Sequence, residues 1–388
     1  MKYPIGIQTF DKIRKEGYVY IDKTDLIYSL VTEGSIYFLS RPRRFGKSLL
    51  ISTLENYFLG RKELFQGLAI EKLEKDWKQY PVIHIDFNSD DFTEEGRLQY
   101  TLANIVTELE MQYQVTPLEN QSVGRRFCKA LEAIHQQTGL RAVVLVDEYD
   151  KPLLDVMDLD YKIDYQGEKI SLEEYNRNTL KAFYSTFKAA DKDLQFVFLT
   201  GVTKFSQECF GQACDISIYT KYDALCGITN EEMIQLFHEP IEKLALDYQC
   251  SFDDMVEKLN YQYGGYHFSD KLTSIFNPYS LYNAFQELCL GEYWFVTGNV
   301  THMSHILSSV EPSLDNVINK YYLPNDFDGD IANTQFPVPI FLYQSGFLTL
   351  KDYKRDMGIY LLDFPNIEMK KVYAAFIKTL QIGKNVEP

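Results

Sequence analysis

The sequence predicts an α/β chain with a mainly parallel, doubly covered sheet, followed by a helical lid and a winged-helix-like C-terminal module. Three observations carry that prediction. Four apolar runs of strand character, at the start of Ser35 to Leu50 and at Pro81 to Phe87, 142–146 and Leu194 to Leu199, alternate with helical patterns. The run Ala142 to Val146 is continuously apolar instead of alternating, as in a parallel strand buried on both faces. From Thr229-Asn230-Glu231-Glu232, a capping pattern, the chain turns helical through Asp253 to Leu259 and Leu281 to Leu290. The terminal portion then carries two strand-like runs, Pro339 to Leu350 and Gly358 to Leu362, around a charged turn. The expected divisions are 1–225 for the sheet domain, 226–300 for the lid and 301–388 for the terminal module. The polar stretch from Asp155 to Ile170 is expected to be a strand-poor surface excursion.

The first element to carry chemistry is Ser35 to Leu50, SIYFLSRPRRFGKSLL. A strand that ends in a tight loop and restarts as a helix aims backbone N–H groups and the positive end of the helix dipole at one point, where polyphosphate can sit. Lys47 would bridge the β- and γ-phosphates, and the Ser48 hydroxyl would ligate Mg²⁺, which takes hard oxygen ligands. This is the G-K-S end of a P-loop. The glycine that opens the usual G-x-x-x-x-G-K-[ST] pattern would fall at position 41, where this chain has Arg41.

The second element is RAVVLVDEYD, Arg141 to Asp150, which places Asp147 and Glu148 at the tip of a buried strand. In a P-loop enzyme Asp147 holds the Mg²⁺ shell and Glu148 orients or deprotonates the attacking water. The third is the strand Leu194 to Leu199, which ends in Thr200-Gly201-Val202-Thr203-Lys204. Where such a strand is inserted between the two phosphate-site strands, its polar tip senses the γ-phosphate. Thr200, Thr203 and Lys204 are the candidates, and capping a strand end is the alternative for the threonines.

Taken together, these motifs resemble the AAA-ATPase-like proteins of bacteria and archaea, relatives of the signal-transduction ATPases with numerous domains. The resemblance rests on Pro4-Ile5-Gly6 with Phe10, Tyr20-Ile21-Asp22-Lys23-Thr24, and Arg41-Pro42-Arg43-Arg44-Phe45-Gly46-Lys47-Ser48. It continues in Glu63-Leu64-Phe65 with Gly67-Leu68, Val146-Asp147-Glu148-Tyr149-Asp150, and Leu199-Thr200-Gly201-Val202-Thr203-Lys204. Later matches are Tyr263-Gly264-Gly265-Tyr266 with Phe268, Asn277-Pro278-Tyr279-Ser280, and Tyr293-Trp294 with Thr297-Gly298. The Arg41 form of the loop looks like the family's own. The resemblance implies ATP and Mg²⁺ as ligands, Glu148, Lys47 and Thr200 as catalytic groups, and Ser48 and Asp147 as metal ligands. Arg43, Arg44, Phe45, Gly46, Lys47, Ser48, Leu49 and Lys204 are the implied nucleotide contacts. Pro278 is the candidate to touch adenine, with a structural turn as its alternative role.

Members of this family often carry a C-terminal domain resembling PD-(D/E)XK nucleases, and the sequence stops at Pro388, where such a domain would begin. Asp363 with Glu368-Met369-Lys370 has a D…ExK spacing, but Pro365 breaks any strand there. The expectation is a turn followed by the solvated start of a last helix, without nuclease chemistry.

Composition narrows the function classes. The net charge of −16, from 39 basic and 55 acidic residues, opposes broad nucleic-acid binding, and the dense basic cluster Arg41, Arg43, Arg44, Lys47 is already assigned to the loop. Arg41 and Arg43 have two open readings, facing phosphate or pairing with Asp150 or other core carboxylates. The six cysteines show no CxxC spacing and read as reduced thiols; Cys209 and Cys214 lack His partners for a metal. Most of the 29 Tyr and 26 Phe should be core. With no secretory leader and no apolar run of membrane-spanning length, a cytoplasmic location is expected. Two functions are open at this stage. One is a Mg²⁺-dependent ATPase acting as a nucleotide-controlled switch, and the other a non-hydrolysing, nucleotide-responsive module that binds a protein or DNA partner. A protein partner or a homo-oligomer fits either.

Overall fold

The computed structural model describes residues 1–117, 120–157, 159–204, 213–294, 318, 320–323 and 338–384. Cys209, Thr297 and Gly298 lie outside the described residues. Helices α1 (Phe10–Glu16) and α2 (Thr24–Glu33) precede β1 (Ile36–Ser40), which the loop 41–46 joins to α3 (Lys47–Phe58). After α4 (Ile70–Leu73), β2 (Val82–Asp86) leads into α5 (Arg97–Gln112) and α6 (Val123–Thr138), and β3 (Ala142–Asp147) into α7 (Lys151–Leu154). Strands β4 (Lys162–Tyr165) and β5 (Glu168–Ser171) come before α8 (Leu172–Ala189), β6 (Leu194–Gly201) and β7 (Cys214–Asp215).

Two compact units emerge. The first comprises Thr24–Leu39 and Ile51–Asp215, the second Met1–Lys23, Ser40–Leu50 and Ile216–Pro388. The five-stranded parallel sheet has the order β2-β3-β6-β1-β7, so β6 is the inserted strand expected between β3 and β1. All six residues of β3 are buried, and seven of the eight in β6, as their unbroken apolar runs require. At the edge, β2 alternates buried and exposed positions. The fifth strand, β7, is two residues long and gave no signal in the sequence. Ser122 starts α6 by accepting the Arg125 N–H, and Ser171 starts α8 by accepting that of Glu174.

Residues 155–170 correct one expectation. The excursion is largely exposed, but it is not strand-poor, because β4 and β5 pair as an antiparallel hairpin. Its alternating pattern is short and charged, which hid it from an apolarity-based reading.

The second unit opens its helical part as predicted. Thr229 forms a capping box with Glu232, its hydroxyl accepting the Glu232 N–H at 3.2 Å while the Glu232 carboxylate accepts the Thr229 N–H at 2.7 Å. The strand pair β8 (Ile228–Thr229) and β9 (Ile275–Phe276) and helices α9 (Asn230–Leu236), α10 (His238–Asp247), α11 (Phe252–Tyr263) and α12 (Pro278–Glu287) share a core around Phe237, Ile241, Leu259 and Phe285. Full burial of each such side chain stabilises the unit by about 1.5–3 kcal/mol. Beyond β10 (Lys320–Tyr322) and α13 (Val338–Gln344), β11 (Thr349–Lys354) and β12 (Ile359–Asp363) make the winged-helix-like hairpin, with α14 (Ile367–Lys384) after it.

Here a second expectation changes. Pro339 to Leu350 is not one strand-like run, since its first half is the helix α13 and only its end enters β11. Residues Pro339 to Gln344 are all buried, so no polar face betrays the helical period. The break between helix and strand is Gly346, with φ +87° and Pro42 so close that a Cβ would meet it at 2.6 Å.

A third expectation also fails in detail. A helix does follow Pro365, but its start is buried instead of solvated, with Glu368 only 1% exposed. One Glu368 carboxylate oxygen accepts the backbone N–H groups of Tyr293 at 2.7 Å and Trp294 at 3.0 Å, so the residue ties a loop to the terminal module. Burial pushes its pKa up from 4.5 to about 7 despite those two donors. The folded chain therefore holds a proton between about pH 4.5 and pH 7 that the unfolded chain releases, and stability must fall as pH rises through that window. Glu368→Gln keeps a carbonyl acceptor and removes the titration. Its melting temperature should drop less than that of the wild type between pH 5 and pH 8, and parallel melting curves across that range would refute the assignment.

Candidate functional site

Within the second unit the loop 41–46 is built around Arg41. Its guanidinium is 1% exposed and donates to the backbone carbonyls of Ser40 at 2.9 Å, Ser217 at 2.6 Å and Tyr222 at 3.2 Å, and it lies 4.2 Å from the Phe268 ring centroid. Delocalised charge and a planar fork of donors suit arginine to such a site, whereas glycine could supply neither. Position 41 is therefore a packing clamp on three backbone carbonyls. Ser40 adds to it by donating its N–H to the Ser217 hydroxyl at 2.8 Å.

The rest of the loop follows from this anchor. Phe45 is buried, with edge-on contacts to Tyr266 and Phe268 at 4.8 Å and 5.3 Å, and its carbonyl accepts the Gly227 N–H at 3.0 Å. Its ring is thus committed to the core, which leaves the Phe45 backbone as the part that could meet a nucleotide. Arg43 is half-buried, and the exposed Arg44 places its guanidinium 4.1 Å from the Tyr279 ring centroid. Arg44 and Gly46 have φ of +71° and +95°, left-handed values that fold a tight turn. The helix α3 then begins, with Leu50 donating to the Gly46 carbonyl at 2.9 Å. Lys47 is 4% exposed, its ammonium 3.5 Å from the Pro42 carbonyl oxygen inside the loop, while Ser48 and Leu49 on the first turn are half-buried. Pro278 stands at the first position of α12, behind Asn277, whose side chain accepts the N–H groups of Tyr279 and Ser280. That start is a structural role for the proline.

The first unit holds the acidic motif. Asp147 is 3% exposed, and one of its oxygens, Oδ1, accepts both the Thr200 hydroxyl at 2.7 Å and the Glu148 N–H at 3.1 Å. Among the described residues its second oxygen takes no hydrogen bond. Glu148 is half-buried with φ +50°, a strained value for a non-glycine residue, so the chain turns sharply as it leaves β3.

Next to it lies a clasp that the sequence did not reveal. Asp150 is fully buried and its Oδ2 accepts the N–H of Val202 at 2.9 Å, and the N–H and hydroxyl of Thr203, each at 2.7 Å. Tyr149 donates its hydroxyl to the Thr203 carbonyl at 2.7 Å and its N–H to that of Thr200 at 2.9 Å. A Cβ on Gly201 would meet Asp150 Oδ1 and the Tyr149 ring at 2.5 Å, so the closeness of the clasp requires glycine there. Lys204, at the far end of this turn, is 8% exposed and ion-paired with Asp215 of β7.

Two further residues were missed. His84 on β2 lies 3.5 Å from Glu55 of α3. Burial lowers its pKa, but Glu55 and the charges of Asp147 and Asp86 outweigh that and leave it raised. The one signal available was the polar position in the alternating PVIHIDF. Among the described residues, no group of three or more His, Cys, Asp or Glu is placed to hold a metal ion, and no helix is long and apolar enough to cross a membrane. The described cysteines, Cys128, Cys214, Cys226, Cys250 and Cys289, are free thiols.

A parallel sheet with an inserted strand, a G-K-S loop and an acidic strand tip define the P-loop NTPase fold. Residues 4–210 match the AAA-ATPase-like family, described as "Predicted AAA-ATPase", and the chain belongs to that family. An uncharacterized protein in the vnfD 5′ region of Azotobacter chroococcum mcd 1 is 34% identical over 384 residues, covering 95% of this chain and 68% of that protein. Among solved structures, Cdc6p from Pyrobaculum aerophilum matches at 12% identity over 94% of each chain, with a TM-score of 0.28. The Orc1 protein of Aeropyrum pernix, solved in complex with DNA, matches at 11% identity over 93% of this chain and 95% of that one, with a TM-score of 0.28. Family membership implies nucleotide binding.

The Arg41 clamp yields a test that runs against the motif. Arg41→Gly restores the usual P-loop glycine, yet it strips buried carbonyls of their donor, and should lower stability by about 3 kcal/mol. The urea midpoint reads this directly; an unchanged or higher midpoint would show that the clamp contributes nothing.

Proposed function

We propose that this protein is a Mg²⁺-dependent ATPase acting as a nucleotide-controlled switch. The observation that carries the reading is the state of Asp147: a buried carboxylate at the tip of a parallel strand, with Oδ1 tied down by Thr200 and Glu148. A carboxylate so oriented, its other oxygen available, fits a hard cation or its water shell. Ser48 is the other residue that would offer Mg²⁺ a hard oxygen. Mg²⁺, when bound, would neutralise charge on the β- and γ-phosphate oxygens.

In this reading the amides of residues 43–49 and the Lys47 ammonium grip the triphosphate. Glu148 accepts a proton from the water that attacks the γ-phosphorus as the bond to ADP breaks. Its turned backbone supports the assignment, since strained positions cluster at sites of chemistry. Thr200, bonded to Asp147, and Lys204 report the γ-phosphate, and Pro278 borders the adenine. The change passes to the lid at 226–300 and to the winged-helix-like module at 301–388, which docks a protein partner or a second copy of the chain. A cytoplasmic site of action suits such a switch.

Hydrolysis and binding separate cleanly by mutation. Lys47→Ala should lose ATP binding and turnover together, whereas Glu148→Gln should keep ATP and lose phosphate release. Equal, feeble release from the wild type and both variants would leave only the non-hydrolysing module. Mg-ATP at about 100 times its dissociation constant stabilises the folded state by roughly 2.7 kcal/mol, so the wild type should melt a few degrees higher with it and Lys47→Ala should not. Identical melting with and without nucleotide would end the proposal.

A further inference from the structure

The clasp and the Lys204 ion pair ask for a function of their own. Two loop residues beyond the end of β6 is Thr203, whose N–H, hydroxyl and carbonyl are all taken by Asp150 and Tyr149. These bonds anchor the turn that leads into Lys204 beside Asp147, to which Thr200 is bonded. The Lys204 side chain is different. Four methylene groups let an ammonium exchange partners without moving the backbone. Its partner, Asp215, is itself placed with care. It pairs with Phe38 in the parallel register of β1 and β7. The Asp215 side chain is 24% exposed against 9% for that of Lys204, so the acid can be solvated when the lysine leaves.

From this arrangement we infer that Asp215 is a latch on Lys204. Resting on the ATPase reading above, the inference is that Asp215 holds the ammonium while no γ-phosphate is present, and that the terminal phosphate of a nucleoside triphosphate competes for it. The exchange replaces one anion by another at a single cation, with no bond made or broken. Its consequence is discrimination. A triphosphate takes Lys204 from Asp215 and a diphosphate does not, so the energy of the Lys204–Asp215 pair is subtracted from triphosphate affinity alone. Tyr149 and Asp150 are positioning residues in this scheme, since they fix the pivot and touch neither nucleotide.

The test is a thermodynamic cycle on the full chain. Dissociation constants for a non-hydrolysable ATP analogue and for ADP, both with Mg²⁺, are measured for the wild type, Asp215→Asn, Lys204→Met and the double variant. Asp215→Asn should tighten the triphosphate analogue by about 5- to 10-fold, within the usual range of coupling between sites, and leave ADP unchanged. Lys204→Met should weaken the triphosphate analogue alone, and in its background Asp215→Asn should have no effect. Equal shifts for both nucleotides, or none, would overturn the latch. If Asp215→Asn does not fold, Asp215→Ser takes its place in the same cycle, where a structural role for the pair predicts equal losses for ADP and the triphosphate. A wild type that binds neither nucleotide removes the ATPase reading and the latch together, whereas a wild type that binds ATP but fails the cycle removes only the latch.

Discussion

A buried positive charge, the Arg41 guanidinium, is the constraint on which the loop 41–46 depends. Burying it without compensation would cost several kcal/mol. The chain meets that demand with three backbone carbonyls and the face of Phe268, and thereby commits residues 217, 222 and 268 to fixed places around position 41. The Phe45 ring, set against Tyr266 and Phe268, extends the same packing to the other side of the loop. An opening glycine leaves a P-loop free to follow its ligand. Here the loop is secured from within.

Asp150 imposes the mirror-image constraint on the other unit. A buried carboxylate needs donors, and the ones available are the amides just past the end of β6. The motif V-D-E-Y-D thus serves two purposes with two consecutive pairs of residues. Asp147 and Glu148 are the groups proposed for the chemistry, while Tyr149 and Asp150 hold the turn at Val202 and Thr203. Packing, hydrogen bonding and proposed sensing are coupled because they share four consecutive side chains.

Much of the architecture was legible because it rests on local rules. The run 142–146 had to be buried on both faces, the capping box at Thr229 had to begin a helix, and the apolar strand ahead of Gly46-Lys47-Ser48 had to meet a helix. What escaped did so for identifiable reasons. Residues 339–344 are buried on every side, which erases the polar stripe that marks a helix. The hairpin at 162–171 is exposed and short, so it lacks the apolar signal that marks a strand. Glu368 carries a charge-bearing side chain that sequence reading puts in water, but two distant N–H groups, those of Tyr293 and Trp294, make its burial tolerable.

The same division holds at the candidate site. By itself the order of residues singled out the groups proposed for chemistry, Lys47, Ser48, Asp147 and Glu148, because phosphate and cation binding need those atom types at turn and strand ends. Only the tertiary structure decided what holds them. That Arg41 would seek Ser217 and Tyr222, Asp150 the amides of 202 and 203, and Lys204 the carboxylate of Asp215 depends on elements remote in sequence or on the register of a two-residue strand. Buried charge must be satisfied by whatever the fold brings near, and nearness across the chain is not written in local periodicity.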